Sequence, residues 1–148
     1  MLAIGSDHGG YKFKEEIKRY LEEYNIAYTD IGTNSEESVN YPDIARDVSI
    51  KVQNGECDRG ILICRSGYGM CIVANKFKGI RCVPAYMEES AKFSKLHNNS
   101  NVLALPADYV SVSEAIQILK TWMETEFEGG RHATRVDMIT QFENKNMK

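Results

Sequence analysis

Short runs of apolar residues alternate with amphipathic, charged stretches along the whole chain. Leu2-Ala3-Ile4-Gly5-Ser6 is a continuous run of strand length, after which the period changes. Over residues 11–23, Phe13, Ile17, Tyr20 and Leu21 fall on one face, with Lys12, Glu15, Glu16, Lys18 and Arg19 mostly opposite, which predicts an amphipathic helix. Residues 26–31 read as a second strand, closed by Gly32-Thr33-Asn34-Ser35, and a helix opens near Pro42, since proline is tolerated in a first turn. Gly60-Ile61-Leu62-Ile63-Cys64 is the most apolar strand, and it breaks into Arg65-Ser66-Gly67-Tyr68-Gly69. The pattern then predicts a helix over 70–77, a strand over 80–84, a helix over 87–97, a strand over 101–105 and a helix over 113–125. After Glu128-Gly129-Gly130, a last helix runs from Arg131 or Ala133 to about residue 144.

Five strand–helix alternations with unbroken apolar strands imply a mainly parallel sheet covered on both faces. The expectation is a single doubly wound α/β domain, residues 1–148, with three αβα layers around a five-stranded, Rossmann-like sheet. The length of 148 residues supports one core. With 18 Lys plus Arg against 21 Asp plus Glu, the net charge of −3 argues against a basic nucleic-acid face. A composition 43% hydrophobic and 26% charged excludes disorder. No stretch approaches the roughly 20 apolar residues of a membrane span, and Met1-Leu2-Ala3-Ile4 lacks a basic leader, so a soluble cytoplasmic protein is expected. The cysteines at 57, 64, 71 and 82 form no Cys-x-x-Cys and are read as thiols.

In doubly wound folds ligands bind outside the carboxyl ends of the strands, which selects Ser6-Asp7-His8, Cys64 to Gly69 and Leu105 to Asp108. The Cys64–Gly69 turn joins a buried strand to a helix, and its backbone N–H groups could hold an anion or developing oxyanion. The same field is expected to lower the pKa of the Cys64 thiol. The turn is neither a Walker A loop nor a Gly-x-Gly-x-x-Gly fingerprint, and a plain turn with a small buried cysteine is the alternative. Asp7 beside His8 could relay protons or hold a sugar hydroxyl, or Asp7 could simply cap the next helix. His97 at a helix end fits the macrodipole without any further role, and Asn98 suits a C-terminal turn. The three histidines, 8, 97 and 132, make no His-x-x-x-His pattern, so no metal site is expected. Arg131 and Arg135, four residues apart, could grip a phosphate or carboxylate, or start a solvated helix.

Taken in order, these segments resemble the ribose-5-phosphate isomerase B and galactose-6-phosphate isomerase family. The resemblance runs from Ile4-Gly5-Ser6-Asp7-His8 through Tyr41-Pro42-Asp43, Gly60 to Cys64, Ala74-Asn75-Lys76, Gly79-Ile80-Arg81 and His97 to Leu103, to Gly129-Gly130-Arg131-His132 and Arg135. It implies a cofactor-free, metal-free interconversion of an aldose phosphate and a ketose phosphate, ribose 5-phosphate to ribulose 5-phosphate first among them. By resemblance Cys64 is the base at C2 and C1, and the loop of Ser66, Gly67 and Gly69 surrounds the enediolate, with Ser66 in place of a usual Thr. His97 would help open the sugar ring and Asp7 would lie near the ring oxygen. His8, Arg131 and Arg135 would bind phosphate, and Tyr41 and Asn98 would contact substrate. The resemblance also implies a site shared between subunits of a homodimer or dimer of dimers, with the helix of about 131–145 packing on the partner.

Two positions depart from the family pattern: Arg65 stands where glycine is expected, and Asp108 where an arginine usually reaches the partner's phosphate. Two readings follow: Arg65 substitutes for the missing cation as a substrate contact, or the substrate differs. Galactose 6-phosphate or allose 6-phosphate isomerisation, a non-catalytic sugar-phosphate-binding protein and a flavodoxin-type nucleotide-binding domain are the remaining alternatives. The last lacks a phosphate-loop signature.

Overall fold

The computed structural model describes residues 1–147. Five strands pair, all in parallel, in the order β2-β1-β3-β5-β4: β1 (Leu2–Ser6), β2 (Tyr28–Gly32), β3 (Arg59–Cys64), β4 (Cys82–Pro84) and β5 (Val102–Pro106). Between them run α1 (Tyr11–Glu23), α2 (Tyr41–Gln53), α3 (Tyr68–Ala74) and α4 (Glu88–Asn98). Helices α5 (Val112–Glu124) and α6 (Arg131–Asn146) follow the last strand.

Alternation along the central strands builds two cores. Leu2, Ile4, Ile61, Ile63, Leu103 and Leu105 point to the side covered by α1, α4 and α5, around the fully buried Trp122. Ala3, Leu62, Cys64, Val102 and Ala104 point the other way, against Val48 of α2 and Met70 of α3. The expected three-layer α/β domain is what forms. Helix α6 stands outside these layers, on α4, with Ile139 and Phe142 46% and 61% exposed. Among the described residues no helix is long and apolar enough to cross a membrane.

The boundaries that differ from the sequence expectation have local causes. β4 starts at Cys82 rather than at residue 80, because Ile80 and Arg81 donate their N–H groups to Phe77 C=O and the Asn101 side chain. The Asn75 side chain bridges to Cys82 in both directions and ends α3 early. The same helix begins two residues early, because Gly67 turns at φ +83° and serves as its N-cap. β2 begins at Tyr28, since Ile26 N–H closes the end of α1 on Leu21 C=O.

Strand order reverses direction between β1 and β3, and this switch point opens a crevice at their carboxyl ends. Asp7 N–H donates to Ile63 C=O across it. Asp7 and Cys64 therefore face the same crevice, by topology alone.

Candidate active site

A cavity of about 250 Å³ opens at this switch point, lined by Asp7, Tyr41, Cys64, Arg65, Ser66 and Gly69. Cys64 is the last residue of β3 and is 6% exposed. Its Sγ accepts a hydrogen bond from Gly67 N–H at 3.2 Å. The loop thus aims backbone donors at the sulfur, but they do not make it acidic. Burial pushes the Cys64 thiol up and the Asp7 carboxylate adds to this, outweighing the N–H groups of Met70, Gly67 and Ser66 that pull it down. The expected lowering is corrected: the loop field is present, but desolvation of a nearly buried sulfur is larger.

Gly69 is required by close approach. A Cβ there would lie 2.7 Å from the Tyr41 ring, so glycine lets Tyr41 close one side of the cavity. Ser66 Oγ accepts from Tyr68 N–H, and Ser66 C=O accepts from the Tyr86 hydroxyl at 2.7 Å. Tyr86 follows the carboxyl end of β4, and its ring packs within 5.9 Å of both Tyr68 and Tyr109. This aromatic brace of the loop was not singled out in the sequence, although the carboxyl-end rule, applied to β4, would have found Tyr86.

Asp7 is the predicted cap: Oδ1 accepts from Gly10 N–H at 2.9 Å, and the same side chain lines the cavity. His8 Nδ1 accepts from Val39 N–H at 3.2 Å. The ring is therefore fixed with Nδ1 unprotonated and Nε2–H as its free donor. Arg65 lies over the 8–10 turn, with Cγ 3.0 Å from where a Cβ on Gly9 would sit. Its guanidinium is 3.6 Å from the Asp108 carboxylate. The two family departures are in contact with each other.

The remaining candidates are elsewhere. His97 sits in the last turn of α4, a helix that returns from the carboxyl end of β4 to the amino end of β5. Its ring stacks on His132 with centroids 4.2 Å apart and an interplanar angle of 13°. Asn98 is exposed and its C=O accepts from Arg81. Arg131 and Arg135 are exposed on the first turns of α6. Within one chain, then, His97, Asn98, Arg131 and Arg135 gather at the amino end of the sheet, and Asp7, His8, Tyr41 and Cys64 to Gly69 at the carboxyl end. A cavity of about 250 Å³ is also below the roughly 300–1,000 Å³ usual for small-molecule sites. A larger cleft, about 730 Å³ beneath α6 beside Ile80, Arg81, Ile139 and Phe142, holds none of the carboxyl-end residues.

The carboxyl-end cluster has what proton abstraction next to a carbonyl needs: a sulfur that can act as base and N–H groups for a nascent oxyanion. The amino-end cluster offers imidazole and guanidinium groups, which suit an anionic ligand.

Comparison with known proteins fits this geometry. A family model described as Ribose/Galactose Isomerase matches residues 2–139. The ribose-5-phosphate isomerase B of Escherichia coli is 43% identical over 144 residues, 97% of each chain. The structure of ribose-5-phosphate isomerase B from Clostridium thermocellum superposes with a TM-score of 0.96 at 46% identity, covering 97% of each chain. That of the Mycoplasma genitalium enzyme, with bound ribulose 5-phosphate, gives 0.93 at 38% identity, covering 98% of this chain and 97% of that one.

Proposed function

The chain belongs to the ribose/galactose isomerase family, and from that premise we propose that it interconverts ribose 5-phosphate and ribulose 5-phosphate. The observation that carries this reading is Cys64 Sγ in the switch-point cavity, held by Gly67 N–H. As thiolate, Cys64 removes the proton from C2 of the open-chain aldose and returns it to C1. The N–H groups of the Ser66–Gly69 loop hold the enediolate oxygens between these steps. Asp7 receives the ring oxygen region, Tyr41 packs on the sugar, and His8 presents Nε2–H to the phosphate.

His97, Asn98, Arg131 and Arg135 act from a second copy of the chain. Their place at the opposite end of the sheet supports this, since α4 and α6 cannot carry them to Cys64 of the same chain. The working unit is therefore at least a homodimer, and the exposed Ile139 and Phe142 put an apolar strip of α6 on its surface for the partner.

The test is a panel of aldose phosphates, five- and six-carbon, assayed side by side with purified protein. Ribose 5-phosphate should give the highest kcat/KM. The Arg65–Asp108 pair at the rim is the reason for including galactose 6-phosphate and allose 6-phosphate, either of which would win if the rim has been rebuilt for a longer sugar. Binding of sugar phosphates without turnover of any would overturn the isomerase reading in favour of a binding protein.

A further inference from the structure

Glu128 has no part in the site proposed above, yet the fold brings it against two histidines. Its backbone N–H donates to Leu96 C=O, which ties the segment before α6 to the last turn of α4. One ligand atom from each of His97, Glu128 and His132 lies within 4.8 Å of the others. His97 Nε2 is 3.9 Å from a Glu128 carboxylate oxygen. His132 is 6% exposed, and its Nε2 is buried without a hydrogen-bond partner among the described residues. A buried ring nitrogen without a partner costs free energy unless something binds it. Nothing in the spacing of these residues along the chain announced the cluster.

We propose that His97, Glu128 and His132 form a binding site for one zinc-class divalent cation, and that filling it switches the isomerase off. The donor set is two imidazoles and one carboxylate, with a fourth position left for water, which zinc accepts readily. Zinc bonds of about 2.0–2.2 Å at tetrahedral angles place donor atoms about 3.3 Å apart. The cluster must therefore contract by at most about 1.5 Å. The His97 ring must also turn out of its stack on His132, whose plane lies 13° from its own, because a metal sits in the plane of each imidazole it binds. The torsions of the partly exposed His97 and the exposed Glu128 allow both. One effect opposes the cation. Arg131 and Arg135 repel positive charge at His132, so the single Glu128 carboxylate leaves the site weaker than a structural zinc site. Reversible occupation follows. The inhibitory part rests on the reading that His97 opens the sugar ring, because a metal-bound imidazole can no longer exchange protons with substrate.

Metal-free protein is titrated with zinc by calorimetry, and with cobalt by absorption spectroscopy, for the wild type, Glu128→Gln and His132→Gln. One site per chain is expected, weakened about tenfold or more by either substitution, with a cobalt spectrum lacking thiolate charge-transfer absorption. Zinc should inhibit wild-type turnover and a chelator should restore it. Glu128→Gln should keep its basal rate and need about tenfold more zinc for the same inhibition. Binding unchanged in both variants, a thiolate band, or no binding at all would overturn the site. Binding as expected without any effect on turnover would overturn the switch. Failure of the isomerase reading would show separately, as zinc binding by a protein that turns over no aldose phosphate.

Discussion

Cys64 combines two opposing influences within a few ångströms. Loop N–H groups stabilise its thiolate, and burial with Asp7 nearby destabilises it more, so the thiol keeps its proton at neutral pH. Because the base is the deprotonated form, kcat/KM should climb as pH rises from neutrality toward the raised thiol pKa, and a pH–rate profile checks it. Cys64→Ala should lose at least about 10²-fold in turnover while still binding sugar phosphate, as expected for removing a positioned base. The other three thiols are buried in packing positions, and their alanine variants should retain the ascending limb.

At the rim, Arg65 and Asp108 are 65% and 47% exposed, so their ion pair adds little to stability, at most about 1 kcal/mol. Its consequence is for binding, since Arg65 lines the cavity and Asp108 would repel a phosphate dianion. Arg65→Gly should raise KM, and adding Asp108→Arg should recover part of the loss. A double-mutant cycle in kcat/KM should show coupling of about 1 kcal/mol, and strict additivity would dismiss it.

At the scale of elements, α1 is fastened to β2 by charge as well as by apolar packing. Lys14 is completely buried, and its Nζ donates to both Asp30 carboxylate oxygens at 2.6 and 2.7 Å. Lys18 adds a third bond at 2.9 Å, and Gly32 N–H a fourth. Burial alone would push the Asp30 carboxyl up, but these donors reverse it and hold the group below the usual carboxylate range. A depressed native pKa means that the stabilisation is fully present above the unfolded-state pKa and is lost as pH falls through the native one. Asp30→Asn should therefore cost about 3 kcal/mol in urea unfolding at neutral pH, because the Lys14 ammonium stays buried with only the more distant Glu15 carboxylate, at 3.7 Å, as counter-charge. Adding Lys14→Met should recover much of that loss, and the variant pair should unfold with a weaker dependence on acid pH.

At the scale of the whole molecule, the separation of the two residue clusters makes a prediction that a one-chain site cannot share. Cys64→Ala and a variant lacking Arg131 and Arg135 should each be nearly inactive alone. If both clusters serve one site across a two-fold interface, half of randomly mixed dimers are hybrids with one intact site of two, so remixing restores roughly a quarter of wild-type activity. Activity no greater than the sum of the parents would refute the shared arrangement.

Period and composition were sufficient for the α/β class, the number of strands and the limits of α1, because a buried parallel strand and an amphipathic helix each impose a spacing that sequence displays directly. They also brought Asp7 and Cys64 under suspicion, since both directly follow or end strands, and the residues at Arg65 and Asp108 stood out as departures. Three things were decided only by tertiary structure. The order β2-β1-β3-β5-β4 puts the switch point between β1 and β3, a matter of which strands find each other and not of any local pattern. The acidity of Cys64 depended on how deeply its sulfur is desolvated, which outweighed the loop dipoles that sequence reveals. And His97 lies on α4 while Glu128 and His132 lie around the start of α6, so only the docking of α6 on α4 could make the three neighbours.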